Sequence, residues 1–238
     1  MYLWKCWRDT RSTFYVLVGA ILAVGAFAGY VAWDPFGWIA AKAQDLRELW
    51  EGSAGVFVTM AMQLVPVAGF VLGALGVGTE FEKGTADFLL TRPRSRRYLL
   101  WTSWGLGAAQ VVALVLGSVI LRLVLANSPG AEDPGAFLRP VAILATLALL
   151  FYSVTYMMTT LARNSRHGTG LGLAAFSGYT GLYMWLRFWY DIHIPVPWNL
   201  LPALRSGEVF SIVPIAGWLT VAAAFMLIAQ FRFERQEV

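Results

Sequence analysis

Six apolar stretches, each free of Asp, Glu, Lys and Arg, divide the 238-residue chain at roughly 14–33, 53–78, 98–121, 140–162, 169–186 and 209–231. A hydrocarbon core about 30 Å thick is crossed by about 20 apolar residues in a helix. Unpaired backbone amides are costly in lipid, so each stretch is expected to be helical. The fifth is short, but Arg187 at its end is able to snorkel, which extends it through Phe188, Trp189 and Tyr190. The expected fold is all-α: a polytopic membrane protein with six transmembrane helices in a single domain over residues 1–238. The charge content agrees. Only 13% of the residues are charged, against about 25% in a soluble domain. That is too few to cover a water-exposed surface, so lipid must cover much of it.

Basic residues in short loops set the orientation. The N-terminus, 79–97, 163–168 and the C-terminus together hold twelve: Lys5, Arg8, Arg11, Lys83, Arg92, Arg94, Arg96, Arg97, Arg163, Arg166, Arg232 and Arg235. The connections 34–52, 122–139 and 187–208 hold six: Lys42, Arg47, Arg122, Arg139, Arg187 and Arg205. The first set is expected in the cytoplasm, and an even number of spans then puts both termini there. The net charge of +4 does not point to nucleic acid, because the basic residues are spread over loops rather than gathered on one folded face. Cys6 is the only cysteine, so no internal disulfide forms.

Residues 1–13 place Leu3, Trp4 and Trp7 on one helical face, with Lys5, Arg8, Asp9 and Arg11 on the other. This predicts a short amphipathic helix lying at the inner membrane surface. The first outer loop is read as holding a helix through its AAKAQDLRELWE stretch. Between the fifth and sixth spans, the apolar stretch IPVPWNLLPAL is broken by Pro195, Pro197 and Pro202. It is too short to span, which suits re-entrant or interfacial placement. Three glycine pairs, Gly25–Gly29, Gly69–Gly73 and Gly168–Gly172, have the spacing that permits close helix contact, expected mainly inside one chain. Pro66 is expected to kink the second span.

The segment from Gly78 to Arg97 is the most informative. Glu80 and Glu82 fall in the first turn of a short helix expected over Glu80–Thr91, where the helix dipole favours acids. Phe81, Thr85, Phe88 and Leu89 form an apolar stripe. Pro93 ends the helix, and Ser95 is placed to cap the third span. A short helix standing off the membrane between two spans suits the docking of a cytoplasmic partner.

This segment resembles the signature loop of ABC transporter permeases of the exporter (type two) class, through Glu80, Gly84, Thr85, Leu89, Leu90, Pro93, Ser95 and Arg96. The resemblance extends loosely over the chain: an amphipathic N-terminal helix, six spans and a partly re-entrant segment before the last. Many members carry a lysine about seven residues after the Ser-Arg pair, where Ser103 and Trp104 stand here. The resemblance implies that the loop is a coupling helix, with Glu82 beside the matched residues, gripping a cytoplasmic ABC ATP-binding subunit present in two copies. It further implies a second permease copy or paralogue, and placement in a cell membrane (a bacterial plasma or inner membrane). No GxxxxGK[ST] phosphate loop occurs in the chain. ATP and magnesium would therefore sit on the partner, with no cofactor, metal or catalytic residue on this chain.

The second and fifth spans line the path in that family, which makes Thr59, Gln63, Ser177 and Thr180 candidate pathway residues; helix–helix hydrogen bonding explains them equally well. Arg122 and Arg187 fall at outer span ends, where they snorkel or form an outer gate for an anionic substrate. Alternatives are an ion-independent carrier or channel, or a membrane immunity or assembly factor with a permease-like fold. An ion-coupled carrier usually keeps acids or lysines inside the membrane, and the six spans hold neither. Ser153 and Ser177 have no histidine within the spans to act as base.

Overall fold

The computed structural model describes residues 2–33, 64–76, 95–126, 134–162, 164–192, 195–197, 200 and 211–235. Among these, six helices and no strand are present: α1 (Tyr2–Trp33), α2 (Leu64–Ala74), α3 (Arg96–Ala126), α4 (Pro134–Ala162), α5 (Ser165–Tyr190) and α6 (Ile212–Arg235). Three of them, over Arg96–Leu121, Leu138–Ala162 and Ile212–Arg235, are long and apolar enough to cross a membrane. The expected helices in 34–52 and Glu80–Thr91 lie outside the described residues.

Two boundaries differ from the sequence reading. Residues 1–13 were expected to form a separate surface helix, but α1 runs unbroken from Tyr2 to Trp33. Nothing in this stretch interrupts it, since Ser12 and Thr13 are tolerated mid-helix and no proline or glycine occurs before Gly19. The connection expected over 163–168 is shorter, since α4 reaches Ala162 and α5 already begins at Ser165. Asn164 is extended and accepts the His167 backbone N–H on its side chain, which starts α5 at Ser165. At its other end α5 reaches Tyr190, as the snorkelling argument expects. It is closed by Asp191 in the left-handed region (φ 52), whose N–H meets the Leu186 carbonyl. Pro66 falls in the first turn of α2 as described, a position that accommodates proline. The chain on its other side lies outside the described residues.

The helices alternate in direction. Thr10 meets Gln110 and Gly25 meets Leu121, so α1 and α3 are parallel. The α3–α4 pairs Leu100–Tyr156 and Trp104–Tyr152, and the α3–α6 pairs Arg97–Glu234 and Trp101–Gln230, are antiparallel. On α4, Thr159 meets Gly168 and Phe151 meets Phe176, so α5 is antiparallel too. The end of α2, the start of α3, the ends of α4 and α6 and the start of α5 gather at one end of the bundle.

α4 is the central helix: 61% of its most apolar window is buried, against 39% for α3 and 22% for α6. Glycine lets its neighbours reach its backbone. A Cβ on Gly69 would lie 2.3 Å from the Ala148 carbonyl oxygen, and one on Gly73 2.6 Å from that of Tyr152. On the α5 side, a Cβ on Gly168 would lie 2.3 Å from the Cα of Thr159. Of the expected glycine contacts, those of Gly25, Gly69, Gly73, Gly168 and Gly172 are made within the chain, and Gly29 lies outside the residues whose packing is described. Two tyrosines of α4 are then seated in slots without side chains, Tyr152 over Gly107 and Tyr156 over Gly76. Their hydroxyls donate to the carbonyls of Trp104 (3.0 Å) and Leu100 (3.1 Å) on α3. In apolar surroundings a hydroxyl needs such an acceptor. Thr146, Thr155 and Thr160 satisfy theirs on carbonyls one turn back in α4 itself.

The outer surface is apolar. Large exposed side chains include Leu182, Met184 and Phe188 on α5, and Val213, Leu227 and Phe231 on α6. Of the proline-interrupted connection, the described residues Val196 and Leu200 are buried, the latter with Ile143, Leu147 and Ile215. Tyr179 donates its hydroxyl to the Pro195 carbonyl. Tyr179 precedes the last residue of α5 by eleven positions, about 16 Å of helix.

Two outcomes follow from this packing. Gly69→Val is expected to cost roughly 1–3 kcal/mol through overpacking, whereas Gly170→Val, with nothing within 4 Å of its Cβ, leaves the thermal midpoint unchanged; detergent-solubilised melting read by size exclusion separates them. Tyr156→Phe should cost on the order of 1 kcal/mol, the usual worth of one interhelical hydrogen bond, and Tyr156→Ala clearly more in the same assay.

Candidate functional site

The charged end of the bundle brings together what the loop motif leads into. Among the described residues it carries Arg96 and Arg97 from α3, Arg166 from α5, and Arg232, Glu234 and Arg235 from α6; Lys5, Arg8, Asp9 and Arg11 of α1 are set further along the bundle, where Cys6 and Thr10 lie beside Ser103 and Gln110. The basic surplus arises because α3 and α5 start here and α6 ends here.

α3 begins as its sequence predicts. The Tyr98 backbone N–H donates to Ser95 Oγ at 3.2 Å, so Ser95 caps the helix. Arg96, the last residue of the motif, is half-buried in the first turn. The next residue, Arg97, forms a two-pronged pair with Glu234 of α6: Nε to Oε1 at 2.5 Å and Nη2 to Oε2 at 3.3 Å. Gln230, one turn back on α6, donates to the same Oε1 at 2.9 Å and accepts from Trp101 Nε1 at 2.9 Å. A chain of four side chains thus clamps the foot of the motif loop to the last helix. The sequence reading missed this clamp. The available signal was the i, i+4 pair Gln230–Glu234 in a final turn rich in arginine.

A narrow crevice, with room for little more than a water molecule, lies between α1, α2, α3 and α4. Asp9, Thr10, Ser103 and Tyr152 supply its polar lining. Thr10 donates to the Cys6 carbonyl (3.0 Å) and accepts from Gln110 Nε2 (2.9 Å), so a polar contact joins α1 and α3. Gln110 is 3% exposed and its Oε1 has no protein partner; buried amide oxygens of this kind are normally satisfied by ordered water.

Of the residues singled out from the sequence, Glu80, Glu82, Gly84, Thr85, Leu89, Leu90, Pro93, Thr59 and Gln63 lie outside the described residues. Ser177 is exposed on α5, and Thr180 is half-buried with its hydroxyl donating to the Phe176 carbonyl at 2.9 Å. Three residues apart on one helix, they are neighbours, but the bond of Thr180 to its own helix matches the packing reading of a membrane threonine. Arg187 is at the opposite end of the bundle from the clamp. Its Nη1 donates to the Tyr183 hydroxyl at 2.8 Å, and the guanidinium stands 6.0 Å from that ring. Arg122 belongs to the last turns of α3. Among the described residues, the gate and pathway candidates form no common cluster.

The clamp is tested by charge exchange. Glu234→Lys places a like charge beside Arg97 and is expected to lower the thermal midpoint more than Glu234→Ala does. Adding Arg97→Glu to Glu234→Lys should restore it, as read by melting of the purified variants in low salt.

Comparison with curated proteins returns no match. A family model described as "Protein of unknown function (DUF2705)" matches residues 17–238, from within α1 through the end of the chain, and the chain belongs to that family.

Proposed function

We propose that this chain is the membrane-spanning permease subunit of an ATP-driven exporter of the ABC type, powered by a separate ATP-binding polypeptide. The observation that carries the reading is the motif Glu80…Arg96 placed between α2 and α3. In support, the described residues Gly76, just before it, and Ser95, near its end, both lie at the charged end of the bundle. Force applied there has a route inward. α2 bears on α4 through Gly69 and Gly73, and α3 is tied to α4 by the two tyrosine hydroxyls and to α6 by the Arg97–Glu234 clamp.

In this reading the chain is a multi-pass protein of the cell membrane, with the basic end and both termini in the cytoplasm. Two copies, or one copy and a paralogue, form the path, each with its own ATPase. Movement of substrate follows alternating access. An apolar, uncharged interior suits lipids, peptides or hydrophobic compounds better than bare ions.

Affinity purification from native membranes tests the proposal. An ATP-binding subunit is expected to come down with the wild-type chain and to be lost from a Glu80→Ala/Gly84→Pro variant that inserts normally. Retention of the ATPase by the variant would remove the coupling role of the loop, and absence of any ATPase from the wild type in mild detergent would overturn the exporter reading.

A further inference from the structure

The level at which α1 joins the bundle conflicts with a flat membrane surface. The charge next to the apolar run is Arg97 on α3 and Arg232 on α6; Arg97 pairs with Glu234, and the Trp101–Gln230 hydrogen bond lies one turn further in. We take the level of the Trp101–Gln230 bond as the inner boundary of the hydrocarbon. Gln110, which bonds Thr10, lies nine residues beyond Trp101 along α3, about 14 Å of helix axis. Half of a 30 Å core is about 15 Å. Thr10 therefore sits close to mid-depth, and Arg8 and Arg11 flank it. The register is fixed at three further points. Cys6 shares the crevice with Ser103, Gly107 and Tyr152, Gly25 abuts Leu121, and Ile21 packs in the core cluster that includes Val115 and Val119. Arg8 and Arg11 are both exposed on the bundle surface, alongside Trp4 and Tyr15, which are 63% and 59% exposed.

We propose that the basic first turns of α1 lie within the inner half of the bilayer and draw phospholipid headgroup phosphates inward along their outer face, thinning the leaflet beside α1. Arginine side chains in hydrocarbon are met by exactly such water and headgroup defects when they cannot reach the surface unaided. Those of α1 lean toward the helix N-terminus, which here is the cytoplasmic direction. Trp4 and Tyr15 bracket the cations as aromatic residues do at a headgroup boundary. The partner is the phosphate of a membrane phospholipid, selected by two exposed guanidinium groups on an aromatic face. The inference rests on the membrane-spanning part of the proposed function and not on the exporter assignment.

Spin labels in vesicles containing phosphatidylglycerol test it, on the full chain with Cys6→Ala. The antiparallel pairing of α3 and α6 places Trp4 and Leu227 at one level, and both are exposed. A label at Trp4→Cys is expected to collide with a water-soluble nickel chelate several-fold more often than one at Leu227→Cys, which should favour oxygen. Arg8→Gln/Arg11→Gln should bring the Trp4 label down to the Leu227 value, and Arg8→Lys/Arg11→Lys should keep it accessible. Equal shielding at both positions would overturn the inference and leave the membrane reading intact. Nickel access at Leu227 would overturn both. Access at Trp4 that survives Arg8→Gln/Arg11→Gln would overturn headgroup recruitment by the arginines.

Discussion

Contact between the α4 backbone and the glycines of its neighbours is the constraint from which the rest of the bundle follows. Gly69 and Gly73 bring α2 against Ala148 and Tyr152, and Gly168 brings α5 against Thr159. In an apolar solvent, burying another apolar side chain gains little, so helices associate through close packing and polar contacts. Once α2 and α5 are seated at that distance, the rings of Tyr152 and Tyr156 have one way to lie, over Gly107 and Gly76, and their hydroxyls find carbonyls of α3. α3 in turn positions α1 through Gln110 and α6 through Arg97 and Trp101.

This order of dependence bears on function. The central helix is packed against α2, α3, α5 and α6, while the outward faces of α5 and α6 remain apolar and exposed. A bundle that is rigid about α4 and open at its periphery suits transmission of a push from one end. The charged end carries the cap at Ser95 and the clamp to α6, and it is there that the motif loop enters and leaves. Away from that end, Leu200 is buried against Ile143, Leu147 and Ile215, and the Pro195 carbonyl accepts from Tyr179.

Much of the helical layout was legible in the sequence, because long charge-free runs and terminal caps are local signals. The helix through Tyr190 was expected from the reach of Arg187, and the cap at Ser95 and the intrachain contacts of Gly25, Gly69, Gly73 and Gly168 from spacing. The separate surface helix over residues 1–13 did not hold, since amphipathicity specifies which face is polar but does not interrupt a helix. Nor did the sequence disclose the Arg97–Glu234 clamp or the level at which Thr10 meets Gln110. Both depend on the register between helices far apart in the chain, which no local pattern encodes. Ser177 and Thr180 were reasonable candidates as polar residues in an apolar run, yet the hydroxyl of Thr180 is committed to its own helix.

The proposed function turns on sidedness: it requires the end holding the clamp to face the cytoplasm and the end holding Asp191 to face outward. Cysteine labelling of intact cells with a membrane-impermeant maleimide tests it most directly, in a Cys6→Ala background. Asp191→Cys should label on intact cells, and Asn164→Cys, at the far end of the same helix α5, only after the membrane is opened. Labelling of both on intact cells, or of Asn164→Cys alone, would contradict the account.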